Sequence, residues 1–193
     1  MKKLIKEIIV YQYNELEEYA QEQAKRDFLE KEHLSDFFSE DLTEELQEQF
    51  GLYNLKTYYS LSYCQGDGLC LYGEITYLEL FNNDKFKSIA FKGIHYKQIH
   101  SIKDELQSID FEHRSWYCHA NSVHIESNED SPTEKQAAII DKIINNVKLW
   151  YYSFCRKWEK QGYKYFYEIS DDDMKEICDT NNYFFTEKGQ LID

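Results

Sequence analysis

Hydrophobic and polar positions along the chain follow first a helical period, then a two-residue period, then a helical one again. Asn14 can cap a helix with Glu17 at its third position, and Ala20, Ala24 and Phe28 recur at four-residue spacing, which predicts a helix over residues 15–32. A second helix is expected over 35–50, with Leu42, Leu46 and Phe50 as its apolar stripe and Gly51 as a left-handed stop. From residue 55 to 80 the period becomes two. Tyr59, Leu61 and Tyr63 alternate with Tyr58, Ser60 and Ser62, and Leu69, Leu71 and Ile75 with Cys70, Tyr72 and Glu74. Between these runs Gln65-Gly66-Asp67-Gly68 is a turn former, so the segment reads as a β-hairpin.

Ile99, Ile102, Leu106 and Ile109 keep helical spacing and predict a helix over 96–109. A strand is expected over 115–126, with Tyr117, His119, Asn121, Val123 and Ile125 on one face and His119 in the core. Ser131-Pro132-Thr133-Glu134 opens a helix carrying Ile140, Ile144, Val147, Tyr151, Phe154 and Trp158 to residue 161 or beyond. Ser170 caps a short helix over 171–179, and 183–186 is strand-like. The fold class is therefore α+β: a small antiparallel β-sheet packed against N-terminal and C-terminal α-helices. No repeat or linker breaks the pattern, so residues 1–193 are expected to form one domain. It comprises an acidic helical region over 14–50, the hairpin and sheet over 55–126, and the C-terminal helices over 131–180.

Composition changes this picture in three ways. Tyr 17, Phe 12 and Trp 3 make the chain 17% aromatic, which suits half-buried faces and interfaces alike. The five cysteines include no Cys-x-x-Cys pair and read as reduced, mostly buried thiols. No run reaches the ~18 apolar residues of a membrane span, and Glu7 interrupts the leader-like start, so a cytoplasmic location is expected. The net charge of −14 is concentrated, since residues 14–48 hold thirteen acidic against three basic residues. Such a balance disfavours direct nucleic-acid binding.

On the second helix Glu40, Glu44 and Glu48 fall on one line, with Asp41 and Glu45 beside them. Carboxylates so spaced step along the axis by about 6 Å and can stand in for phosphates before a basic groove; the alternative is a solvated acidic face. The six histidines form no metal or acid–base spacing. A nucleophilic pair of His124 with Cys64 or Cys70 is the one Cys/His option. Asp67 between glycines suits backbone N–H groups better than a metal, and Ser170 with Asp173 reads as a helix cap rather than part of an Asp171–Asp173 cluster. The reading assigns no catalytic residue, metal or cofactor.

Tyr63-Cys64-Gln65-Gly66-Asp67-Gly68-Leu69-Cys70 followed by Gly73 resembles the Ser-Gln-Gly-Asp-Gly-Ala-Cys-Phe-x-Gly segment of a phage and prophage family often labelled "antitoxin of toxin–antitoxin stability system". The departures are Cys64 for serine, Leu69 for alanine and Leu71 for phenylalanine. Tyr13-Asn14-Glu15-Leu16, Ile99-His100-Ser101-Ile102 with Glu105-Leu106-Gln107, and Asn182 to Gly189 are similar to that family's opening, central and closing segments. The resemblance implies a phage setting and an inhibitor of host or defence machinery, antitoxin-like or anti-CRISPR. The expected function is stoichiometric inhibition of a basic, nucleic-acid-handling host protein through Glu40, Asp41, Glu44, Glu45 and Glu48. The alternative is a small metal- or nucleotide-dependent enzyme, or a ligand-binding protein, using the Gln65–Gly68 hairpin.

Overall fold

A computed structural model describes residues 9–31 and 34–192. The leader-like start before Ile9, the helix end expected at Glu32, and His33 lie outside the described residues. In chain order the helices are α1 (Glu18–Lys31), α2 (Leu34–Glu44), α3 (Glu79–Asn82), α4 (Asp84–Ala90), α5 (Tyr96–Ser101), α6 (Glu134–Tyr167) and α7 (Asp171–Asn181). The strands are β1 (Leu55–Ser60), β2 (Gly68–Thr76), β3 (Leu106–His113), β4 (Val123–Glu129), β5 (Phe184–Phe185) and β6 (Leu191–Ile192). These fall into two compact units, Asp36–Gly162 and the described part of Met1–Ser35 with Tyr163–Asp193. The hydrophobic pattern marks no such division because both boundaries fall inside helices, α2 and α6.

The larger unit is built on an antiparallel sheet in the order β1-β2-β3-β4. Its α+β architecture is the one the sequence predicts. In β2, Leu69, Cys70 and Leu71 are all fully buried, so both faces of the strand are covered there. Along α6, Ile140, Val147, Tyr151 and Phe154 are buried at helical spacing. The Tyr151 ring packs on Phe111 of β3 at 5.4 Å, and its hydroxyl donates toward the Leu71 and Ala120 carbonyls at 3.3 and 3.4 Å. Burial raises the Tyr151 pKa, so the phenol stays a neutral donor.

Two expectations in this unit are overturned. The helix expected over 96–109 ends at Ser101, and Leu106–His113 is β3. Ile109, Phe111 and His113 alternate with Asp110 and Glu112, and pairing with β2 and β4 on both sides prevails over helical spacing. The strand expected over 115–126 begins only at Val123. Before it, the Ser122 hydroxyl bonds the Tyr117 and His119 carbonyls at 2.8 and 2.6 Å, which curls the backbone through a 3₁₀ turn at Ala120–Ser122. His119 is consequently exposed, not in the core.

The second N-terminal helix also differs from a plain α-helix. Phe38, Leu42, Leu46 and Phe50 are buried at a strict four-residue repeat. In an α-helix four residues overshoot a full turn by about 40°, so a strict repeat drifts off the core face. The chain corrects this by widening into a π turn over Glu45–Gln49, which takes more residues per revolution. Phe50 is thereby kept against Trp150 and Phe154, with ring centroids 5.4 and 5.8 Å apart. Gly51 at φ +67 ends the helix as the sequence predicts.

Glu79 is a buried carboxylate that the hydrophobic pattern does not reveal. It accepts from the Thr76 N–H and hydroxyl (2.8 and 2.9 Å), the Tyr53 N–H (3.1 Å) and Asn54 Nδ2 (3.2 Å). The Glu79 N–H returns a bond to the Thr76 hydroxyl, the reciprocity of a capping box.

In the smaller unit Tyr13, Leu16, Ala20 and Ala24 pack with Met174, Cys178 and Phe185. A 3₁₀ turn, Tyr13–Glu15, replaces the expected Asn14 cap, and α1 starts at Glu18. Ser170 caps α7, accepting from the Asp173 N–H as expected. Asp171 accepts from Tyr13 Oη at 2.8 Å and pairs with Lys25 at 3.0 Å; these contacts, Lys25 first, hold its carboxyl below the usual range.

Glu79→Ala should lower the unfolding free energy by about 1–3 kcal/mol, because it strips the acceptor from several donors at once. Urea denaturation checks this; an unchanged midpoint would mean that the corner at residues 53–54 is held without the carboxylate.

Candidate functional site

The acidic row lies on α2 and the π turn. Glu40, Asp41, Glu44 and Glu48 are exposed, and among the described residues none of their carboxylates makes a hydrogen bond or ion pair. Glu40, Glu44 and Glu48, together with Ser39, Thr43 and Gln47, line a shallow groove of about 400 Å³. The π turn that keeps Phe50 in the core also keeps Glu48 in line with Glu40 and Glu44, because it offsets the same drift on the outer face. Glu45 is different. Its side chain is only 11% exposed, and it accepts from Lys157 Nζ at 2.6 Å and Trp158 Nε1 at 3.0 Å. It anchors the helix to α6 and does not join the outward row.

The Gln65–Gly68 turn is built around its aspartate. Asp67 is buried, and its carboxylate accepts from the Ser60 hydroxyl (2.6 Å), the Ser62 N–H (2.5 Å) and the Cys64 N–H (2.7 Å). These bonds, the Ser60 hydroxyl first, hold its pKa below the ordinary carboxylate value. Both oxygens are engaged, so Asp67 serves as a local turn builder, as the Gly-Asp-Gly context predicts. Gly66 adopts φ +98, and a Cβ there would lie 2.2 Å from the Tyr117 ring. The Cys118 N–H donates to the Gly66 carbonyl at 2.9 Å, which ties the turn to the loop before β4. Around it Tyr63 and Trp116 are 70% and 96% exposed. Gln65 is also exposed.

His124 and Cys70 are not brought together. His124 pairs with Glu126 on β4, while Cys70 lies on β2 with β3 between them. Burial pushes the Cys70 and Cys155 thiols up to about 12, which leaves them protonated and poor nucleophiles. Cys64 is exposed, and the other four cysteines are buried, all of them free. His113 Nε2 donates to the Tyr117 carbonyl at 2.8 Å, and its ring packs on Tyr58 at 5.1 Å. Among the described residues no group of three His, Cys, Asp or Glu side chains is placed to hold a metal ion, and no helix is long and apolar enough to cross a membrane.

Sequence reasoning placed the four outward carboxylates but missed Glu45 as an anchor and Glu79 as a staple. A signal for each exists: the four-residue repeat from Phe38 to Phe50 points to a π turn, and Thr76-x-x-Glu79 has the spacing of a capping box.

An acidic helical face and a closed, aromatic-flanked turn on an α+β sheet define this unit. The chain belongs to the family described as Domain of unknown function (DUF8835), whose model matches residues 35–171. That stretch contains all of the larger unit and both the acidic row and the Asp67 turn. No curated protein and no solved structure matches the chain.

Asp67→Asn tests the turn. The folded pKa of Asp67 lies below the ordinary aspartate value of 3.8, so its stabilisation is fully present above pH 3.8 and is lost as pH falls through the folded value. The variant should melt several degrees lower at neutral pH, with the gap to the parent closing only below about pH 4. A gap that is absent at neutral pH, or unchanged into strong acid, would contradict the role of the ionised carboxylate.

Proposed function

We propose that this chain is a phage- or prophage-encoded binding protein. In this reading it acts as a stoichiometric inhibitor, antitoxin-like or directed against a defence system such as CRISPR, of a basic, nucleic-acid-handling host protein. The interface is the face carrying Glu40, Asp41, Glu44 and Glu48. The observation that carries this reading is the state of those carboxylates: they are outward, aligned and, among the described residues, unpaired, while their neighbour Glu45 has Lys157 and the Trp158 N–H as partners. An uncompensated row costs a few tenths of a kcal/mol per like-charged pair, which a basic partner relieves on docking. It also steers encounter with a positive groove and sets a strong salt dependence. The phage setting and the inhibitor role come from the resemblance of the Tyr63–Gly73 segment. A ligand-binding role at the hairpin draws support from the exposed Tyr63 and Trp116 rings, but it would have to work without Asp67, whose oxygens are both occupied.

The test is position-matched charge reversal. Glu40→Lys, Glu44→Lys and Glu48→Lys combined should weaken binding to the captured partner by tenfold or more and flatten its salt dependence. Asp172→Lys, Glu176→Lys and Asp179→Lys on α7 change the net charge equally at another exposed face and should leave affinity within about twofold. Equal losses in the two triples would reduce the effect to net charge and sink the docking face.

A further inference from the structure

One concavity of this acidic chain is basic. Ile94, α5 and the first turns of α6 line a cleft of about 640 Å³. Lys97, Lys135 and Lys142 are among its lining residues, and none of the lining residues is acidic. In a chain with 36 acidic residues, none of these three lysines forms an ion pair among the described residues. Lys142 donates to the Gly93 carbonyl, and the exposed ammonium groups of Lys97 and Lys135 make no hydrogen bond among the described residues.

The walls are tied together by side chains. Gln136 Nε2 donates to the Ser101 carbonyl at 2.7 Å and to Glu105 Oε1 at 3.3 Å, joining the start of α6 to the end of α5 and to the Glu105 carboxylate behind it. Asn146 Nδ2 reaches the Ala90 and Lys92 carbonyls at 3.0 and 3.1 Å and, with Lys142, holds the segment before α5. The Thr133 N–H and hydroxyl both bond Gln136 Oε1, so the polar groups beside the lysines are spent on building the cleft. What remains to meet a ligand is ammonium charge and the apolar surface of Ile94, Ala138 and Ile139.

We infer that this cleft binds a small phosphorylated molecule, a nucleoside di- or triphosphate in class. Lys97 and Lys135 meet its phosphates, with Lys142 beside them, and Ile94 with Ile139 meets its apolar part. The volume lies within the range of small-molecule sites, about 300–1,000 Å³. A long nucleic acid would meet the repulsion of the whole −14 chain, whereas a small ligand feels chiefly the charges within a Debye length of about 8–10 Å. The site is separate from the acidic row and does not depend on it.

The full chain, titrated with ATP and with inorganic tripolyphosphate at low salt, tests this by calorimetry and amide NMR. Both probes should bind saturably at one site, ATP the more tightly, with shift changes confined to residues 94–101 and 133–142. Lys97→Glu with Lys135→Glu should weaken both by tenfold or more. Lys56→Glu with Lys160→Glu, exposed lysines elsewhere, should change affinity by less than twofold. Unsaturable binding, shifts spread over all lysines, or equal loss in the two pairs would overturn the site. Equal affinity for the two probes would overturn the assignment to a nucleoside-bearing phosphate.

Discussion

The larger unit turns on a mismatch of periods. Phe38, Leu42, Leu46 and Phe50 must all reach the core, yet they are spaced at four residues, and an α-helix repeats every 3.6. Widening the last stretch into a π turn resolves the mismatch. One local adjustment therefore fixes two things at once. Inside, Phe50 stays with Trp150 and Phe154, where each buried ring contributes about 1.5–3 kcal/mol. Outside, Glu40, Glu44 and Glu48 stay on a single groove. The Glu45 contact with Lys157 and Trp158 then locks the rotation of the helix, so the row cannot roll toward α6.

Charge is sorted on the same scale. Among the described residues Glu40, Asp41, Glu44 and Glu48 form no ion pair, and neither do Lys97, Lys135 and Lys142 at the cleft between α5 and the start of α6. Since exposed ion pairs contribute at most about 1 kcal/mol each, folding has little need of either arrangement. Both lie within the stretch that the family model covers.

The sequence disclosed elements wherever one local signal acted alone. The Gly-Asp-Gly turn, the Ser170 cap and the Gly51 stop follow from side chains that bond neighbouring backbone or from a φ that only glycine adopts cheaply. It misled where long-range pairing competed. Leu106 and Ile109 keep helical spacing with Ile99 and Ile102, but β3 draws its hydrogen bonds from β2 and β4, which no local window contains. The segment before β4 alternates like a strand, yet Ser122 curls it and Cys118 ties it to Gly66 from across the hairpin. The acidic row was legible because exposure follows from a polar helix face. Glu45 was not, since Lys157 and Trp158 lie more than a hundred residues further on.

The central claim is that the outer face of α2 is the docking surface. Hydrogen–deuterium exchange of the full chain, free and saturated with its captured partner, tests it most directly. Added protection should fall on residues 37–49 and leave the 61–68 turn and the 113–122 loop unchanged. Protection confined to that turn and loop, with 37–49 exchanging as in the free protein, would contradict the account and move the interface to the exposed rings of Tyr63 and Trp116.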